Sequence, residues 1–341
     1  MNIYTRRITQ CIYIFMLCSV IVFGCVTHFS IIKNAVLASN DEKYIKWIDF
    51  DVTANALWDA AKYDIDSYKS DTHIDFVTLL SLLGTKYGGD FKHYKKSDMD
   101  SIFKKLCDGM SPEEIASNPK AYNYYKKAYG AILDGIIGEY GIKSDYENTG
   151  LYYEKRYGLK VFSPIASGYY YNHFDDFGAS RSFGYKRPHL GHDMMGSVGT
   201  PIIAVESGFV EALGWNTYGG WRVGIRSFDG KRYYYYAHLR KGHPYNDLYE
   251  GKTVNAGDVI GYLGMTGYST KEDTNNINVP HLHFGLQIIF DKSQKDGWNQ
   301  IWLDAYELTK FLSNNKAIVE YNKETKEYYS KSSIIELSAP D

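Results

Sequence analysis

Apolar residues run almost unbroken over positions 11–26, behind Arg6 and Arg7, and continue through Thr27 and His28 to Ile32. A helix of about 20 apolar residues spans a bilayer. The run therefore predicts a cytoplasmic stub and transmembrane signal anchor over residues 1–38, with everything after it outside the membrane. Two processing alternatives stay open: cleavage after Val36-Leu37-Ala38, which would give a secreted form, and lipid attachment at Cys25, where Phe23 is bulky for the purpose. Past residue 43 the pattern turns helical. Ile74, Phe76, Val77, Leu79, Leu80, Leu82 and Leu83 lie between Asp71-Thr72 and Gly88-Gly89, the signature of a buried helix. Ser111-Pro112-Glu113-Glu114 places Ser at the N-cap, Pro at N1 and Glu at N3 of another. A third helix is expected over residues 121–140, weakened by Gly130, Gly135 and Gly138. Residues 39–145 thus read as a small helical domain.

After Gly141 the pattern changes to short runs of aromatic and β-branched residues broken by glycine turns. Phe228-Asp229-Gly230 between runs 221–227 and 232–237 predicts a hairpin. A second short strand pair is expected over residues 254–264, around Ala256-Gly257-Asp258. These signals predict a mostly antiparallel β-sheet domain over residues 160–313, closed by an amphipathic helix over 302–312. Residues 314–341 form a polar tail expected to be partly mobile. The fold class is α+β.

Hydrophobic residues make up 44% of the 341 positions and charged residues 23%, which is ordinary for a globular chain. The net charge is -2 and no basic patch stands out, so no nucleic-acid partner is expected. The 33 tyrosines suit half-wet sheet faces and peptide or carbohydrate grooves, or reflect β-propensity alone. Cys11, Cys18 and Cys25 lie in the apolar run, leaving Cys107 alone beyond it. That count excludes an intramolecular disulfide there and a zinc site built on thiolates.

Seven of the ten histidines fall between His173 and His283. His189 and Asp193 stand four apart with Gly191 between them, and both reach one ion if the backbone bends. In His281-Leu282-His283 the two imidazoles lie two positions apart, so a strand sends both to one face. His238 ends the predicted hairpin in Tyr236-Ala237-His238-Leu239. Together these residues offer three plausible metal ligands and two further histidines, an incomplete shell of the kind a catalytic zinc keeps.

The order His189 to Asp193, Gly199-Thr200-Pro201, Tyr236 to Leu239 and His281 to Phe284, with the glycine-bounded turns at 256–261 and 264–267, resembles the lysostaphin-type (M23, LytM-like) cell-wall endopeptidases. The resemblance covers about residues 162–290. It implies one Zn²⁺ per chain bound by His189, Asp193 and His283, with His238 and His281 as catalytic histidines. It also implies a peptidoglycan substrate, cleaved in a stem peptide or cross-bridge by metal-activated water. His192 matches no family position and is expected at the surface or behind the ligands. Residues 271–279 form an insertion expected at the groove's rim, with consequences for substrate preference. A silent cell-envelope scaffold on the same fold is the competing function. A separate hydrolase or glycan-binding role for the helical domain finds no paired carboxylates, since Glu113 and Glu114 read as helix-start residues.

Overall fold

The computed structural model describes residues 44–143 and 153–337. Its helices follow local signals. Asp75 accepts the Thr78 N–H and opens Phe76–Tyr87, and Gly88, at φ 63°, closes it. Residues 76–84 of this helix are all buried, because Ala54–Ser67, Lys96–Cys107 and Pro119–Leu133 pack around it. Ser111 and Glu114 form the expected capping box, but the helix lasts only over Pro112–Ile115. Asn118 caps the next helix, whose first residue, Pro119, has no N–H to offer the preceding turn.

Four expectations are corrected. The helix predicted over residues 121–140 ends at Leu133; Gly135 turns the chain at φ 81°, and Ile137–Lys143 is a strand. It pairs with Tyr153–Leu159 and with Ile334–Glu336, so sheet pairing overrides local helical preference. Up to residue 337 the tail accordingly takes up regular structure, and it also forms the hairpin Val319–Asn322 with Glu327–Ser330. The expected helix over 302–312 is a strand, Ile301–Leu303, followed by a shorter helix, Tyr306–Leu312. The runs either side of Ala256-Gly257-Asp258 do not pair with each other. Thr253–Val254 joins Gly208–Asn216, and Val259–Tyr262 joins Pro201–Ile203.

The main sheet is antiparallel. Its order is Thr253–Val254, Gly208–Asn216, Gly220–Ser227, Arg232–Ala237, His281–Ile288, His192–Met195, Asn172–His173, with Ile301–Leu303 also lying against His281–Ile288. The predicted hairpin forms from Gly220–Ser227 and Arg232–Ala237. One apolar core runs from the helices, through Leu57, Leu80 and Phe311, to Val223, Tyr236 and Phe284 under the sheet. Arg232, 2% exposed, joins the two parts: it forks onto Glu206 at 2.8 Å through both Nε and Nη2 and donates through Nη1 to the Ala131 carbonyl. Glu206→Ala would leave that guanidinium with Asp229 at 3.1 Å as its one carboxylate partner, and is expected to cost about 3 kcal/mol, measured as a lower unfolding midpoint in a denaturant melt.

The membrane placement predicted from residues 11–26 is corrected. A span needs about 20 apolar residues in one helix. Among the described residues no helix is long and apolar enough to cross a membrane, and the longest, Pro119–Leu133, has 15 residues. The apolar run itself lies outside the described residues.

Candidate active site

Sheet register assembles the site. On the central strand His281–Ile288, His283 sits opposite Asp193 on one side and Ala237 on the other. Cross-strand partners project to the same face, so Asp193 and His283 meet directly. His189 enters from the turn before His192–Met195. His238 follows Ala237 with φ 62°, a left-handed conformation that non-glycine residues seldom adopt. That sharp exit swings its ring back over the cleft instead of continuing along the strand.

His189 Nε2, His283 Nδ1 and Asp193 Oδ1 form a nearly equilateral triangle. The two nitrogens are 2.8 Å apart, and each lies 3.0 Å from the carboxylate oxygen. His189 and Asp193 are buried and His283 half-buried. Behind them, Asp176 accepts at 3.1 Å from His189 Nδ1, and Arg181 bridges Asp176 at 2.7 Å and Asp193 Oδ2 at 2.9 Å. Burial by itself would lower the His189 pKa, but Asp176 and Asp193 outweigh it and raise the value to about 9. Burial would likewise raise Asp193, yet His189 and His283 hold its carboxyl far below the usual range. Burial prevails at His283 and lowers it.

His238 and His281 stand beside the triangle with ring centroids 4.7 Å apart. Each is oriented by a backbone carbonyl 2.8 Å from Nδ1: Thr266 O for His238 and Val279 O for His281. A carbonyl only accepts, so Nδ1 carries the proton in both rings and the Nε2 lone pairs are left for the cleft. The His281 Nε2 lies 3.7 Å from Asp193 Oδ1. The cleft encloses about 340 Å³ and is lined by all five residues. Asn276, Ile277 and Asn278 of the insertion also line it.

His192 is buried, not exposed. Neighbours along a strand face opposite ways, so it points away from Asp193, and its Nε2 lies 2.7 Å from His173 Nδ1. Burial first, then His173, lowers its pKa to about 4. Asp176 and Arg181 escaped the sequence pattern: Asp176 lies in a loop and Arg181 on the two-residue strand Ser180–Arg181, and only the return of the chain to His189 shows their use.

Gly191 is required for space. A Cβ there would lie 2.5 Å from the His283 ring and 2.9 Å from the Phe284 carbonyl. Gly191→Ala is therefore expected to displace His283 and lower metal affinity by at least about tenfold, as measured by competition with a chromophoric chelator.

Residues 187–296 match the profile of Peptidase family M23. The chain is 31% identical over 195 residues to the L-Ala--D-Glu endopeptidase of Bacillus subtilis, covering 52% of this chain and 58% of that one. It is 40% identical over 97 residues to the Glycyl-glycine endopeptidase ALE-1 of Staphylococcus capitis, covering 28% and 24%. The solved catalytic domain of lysostaphin from Staphylococcus simulans is 31% identical over 41% of this chain and 92% of that one, with a TM-score of 0.31. The matched stretch is little more than half of the first relative and about a quarter of the second. The family match, residues 187–296, holds His189, Asp193, His238, His281 and His283, and that segment is a peptidase domain of family M23.

Proposed function

We propose that this chain is a zinc-dependent endopeptidase that hydrolyses peptide bonds in bacterial peptidoglycan. One zinc per chain would be held by His189, Asp193 and His283, with His238 and His281 as the catalytic histidines. The observation that carries this reading is the three-donor triangle flanked by two imidazoles fixed to backbone carbonyls. Two nitrogens and one carboxylate oxygen are ordinary zinc donors. Their spacings of 2.8–3.0 Å approach the roughly 3.3 Å edge of a tetrahedron with ligands at about 2.0–2.1 Å. Asp176 behind His189 completes the carboxylate–histidine arrangement that orients a ligand imidazole.

Zinc bound by three protein ligands supplies a Lewis acid that makes water more acidic and polarises a carbonyl. The protein's own part is proton handling. One of His238 and His281 accepts the attacking water's proton at Nε2 and returns it to the leaving amine. The other, its Nε2 protonated, donates a hydrogen bond to the tetrahedral oxygen. With rings 4.7 Å apart, the two do not carry positive charge together without repulsion, so one proton shared between them suits one acceptor and one donor.

Proton release should accompany metal uptake. A histidine ligates only when neutral, and in the metal-free protein His189 stays protonated up to about pH 9. Apparent zinc affinity is therefore expected to rise by about tenfold per pH unit above neutrality and to level off beyond about pH 9. A chelator-competition series across pH measures this, and a flat profile would contradict it.

The function itself is tested on purified peptidoglycan by labelling newly released amino groups. The relatives differ by name in the bond they act on, so the labelled residue identifies which class is cut here. Release of a single kind of new amino terminus is the expected result. Zinc-loaded protein that binds walls of several cross-link types and releases nothing would instead describe a silent scaffold.

A further inference from the structure

We infer that Arg187 reads a free carboxylate on the substrate close to the scissile bond, so that the preferred substrate is an anionic peptide rather than a neutral bridge. This rests on the peptidase reading above and specifies its substrate class.

Two guanidinium groups line the cleft, those of Arg181 and Arg187. Arg181 is consumed by Asp176 and Asp193. Asp193 is the one carboxylate in the lining, and it is already engaged by His189, His283 and Arg181. Arg187 is differently placed. Its Nη1 donates to the Phe183 carbonyl at 2.7 Å, and among the described residues it pairs with no carboxylate. Aromatic rings hold the guanidinium: its central carbon lies 4.5 Å over Tyr218, with Tyr185 at 5.7 Å and Tyr268 at 5.8 Å. The cage is itself braced, since Phe183 stacks on Tyr268 at 4.7 Å and 9°. A cation immobilised in this way has already lost its rotamer freedom, and the rest of its planar fork remains to bind a carboxylate.

Tyr268 also packs edge-on against His238, with centroids 5.8 Å apart. The guanidinium is thus two ring spacings from a catalytic imidazole. An extended peptide covers that distance in about three residues. A carboxylate within that reach of the bond would enter a cleft in which Arg187 is the guanidinium not already paired with a carboxylate.

The test uses the full chain and soluble muropeptides from one wall, half of them amidated with carbodiimide and ammonium so that their carboxylates become neutral. The unmodified protein is expected to show kcat/KM at least about tenfold higher on the free acids. In Arg187→Gln that ratio should fall towards one, chiefly through KM on the acids, while Arg187→Lys keeps part of it as a point charge. Equal rates of the unmodified protein on both substrates would overturn the inference and leave the peptidase reading intact. A uniform loss on both in Arg187→Gln, or a preserved ratio, would make Arg187 a structural brace only. Cleavage of neither substrate would remove the peptidase reading and this inference with it.

Discussion

Asp193→Ala is expected to abolish zinc retention and to lower peptidoglycan hydrolysis by at least about 10²–10³. The argument is geometric and electrostatic together. Asp193 Oδ1 is the corner shared by both imidazoles at 3.0 Å, and Oδ2 neutralises Arg181 at 2.9 Å. Without the carboxylate, Arg181 keeps only Asp176, at 2.7 Å, and a dication would enter a site that has lost one negative charge and one of its three donors. Asp193→Asn keeps the shape and loses the charge, so it should fail similarly while remaining folded. Circular dichroism with metal analysis separates these outcomes from unfolding. A folded Asp193→Ala protein that retained one zinc per chain would remove Asp193 from the ligand set.

His238→Ala and His281→Ala are expected to behave in the opposite sense with respect to metal. Neither ring belongs to the triangle, so zinc should stay bound in both, while the rate falls by about 10²–10⁴ in each. The double variant should be scarcely worse than either single one, because the two act on one proton in one step. The left-handed backbone at His238, φ 62°, sharpens this expectation. Such strain persists only where the surroundings enforce it, here through the Gly219 carbonyl accepting the His238 N–H at 2.7 Å and Thr266 O accepting from Nδ1. Rates within tenfold of the unmodified protein would show that neither ring handles the proton.

The residues of the site were legible in the sequence because strand periodicity and a four-residue spacing are local rules. His281 and His283 share a face by period two, and Asp193 and His189 are joined by a turn in which only Gly191 fits under the His283 ring. What carried no sequence signal was whatever depends on a distant partner. Residues 137–140, the first part of the strand Ile137–Lys143, looked helical because the pairing strands come from residues 153–159 and 334–336. Residues 302–303 looked like the start of a helix until His281–Ile288 is seen beside the strand Ile301–Leu303. Asp176 and Arg181 had no motif at all, and their roles arise from a loop and a two-residue strand, Ser180–Arg181, folding back onto His189 and Asp193. The aromatic cage around Arg187 is likewise contributed by three separate loops.

The central claim is that one zinc, held by His189, Asp193 and His283, is needed for peptide-bond hydrolysis. The most direct measurement is metal content and amino-group release from purified peptidoglycan in one preparation, before chelation, after it, and after zinc is restored. Close to one zinc per chain, release lost with the metal and recovered on its return, is the predicted result. Undiminished release from protein shown to be free of zinc would contradict it.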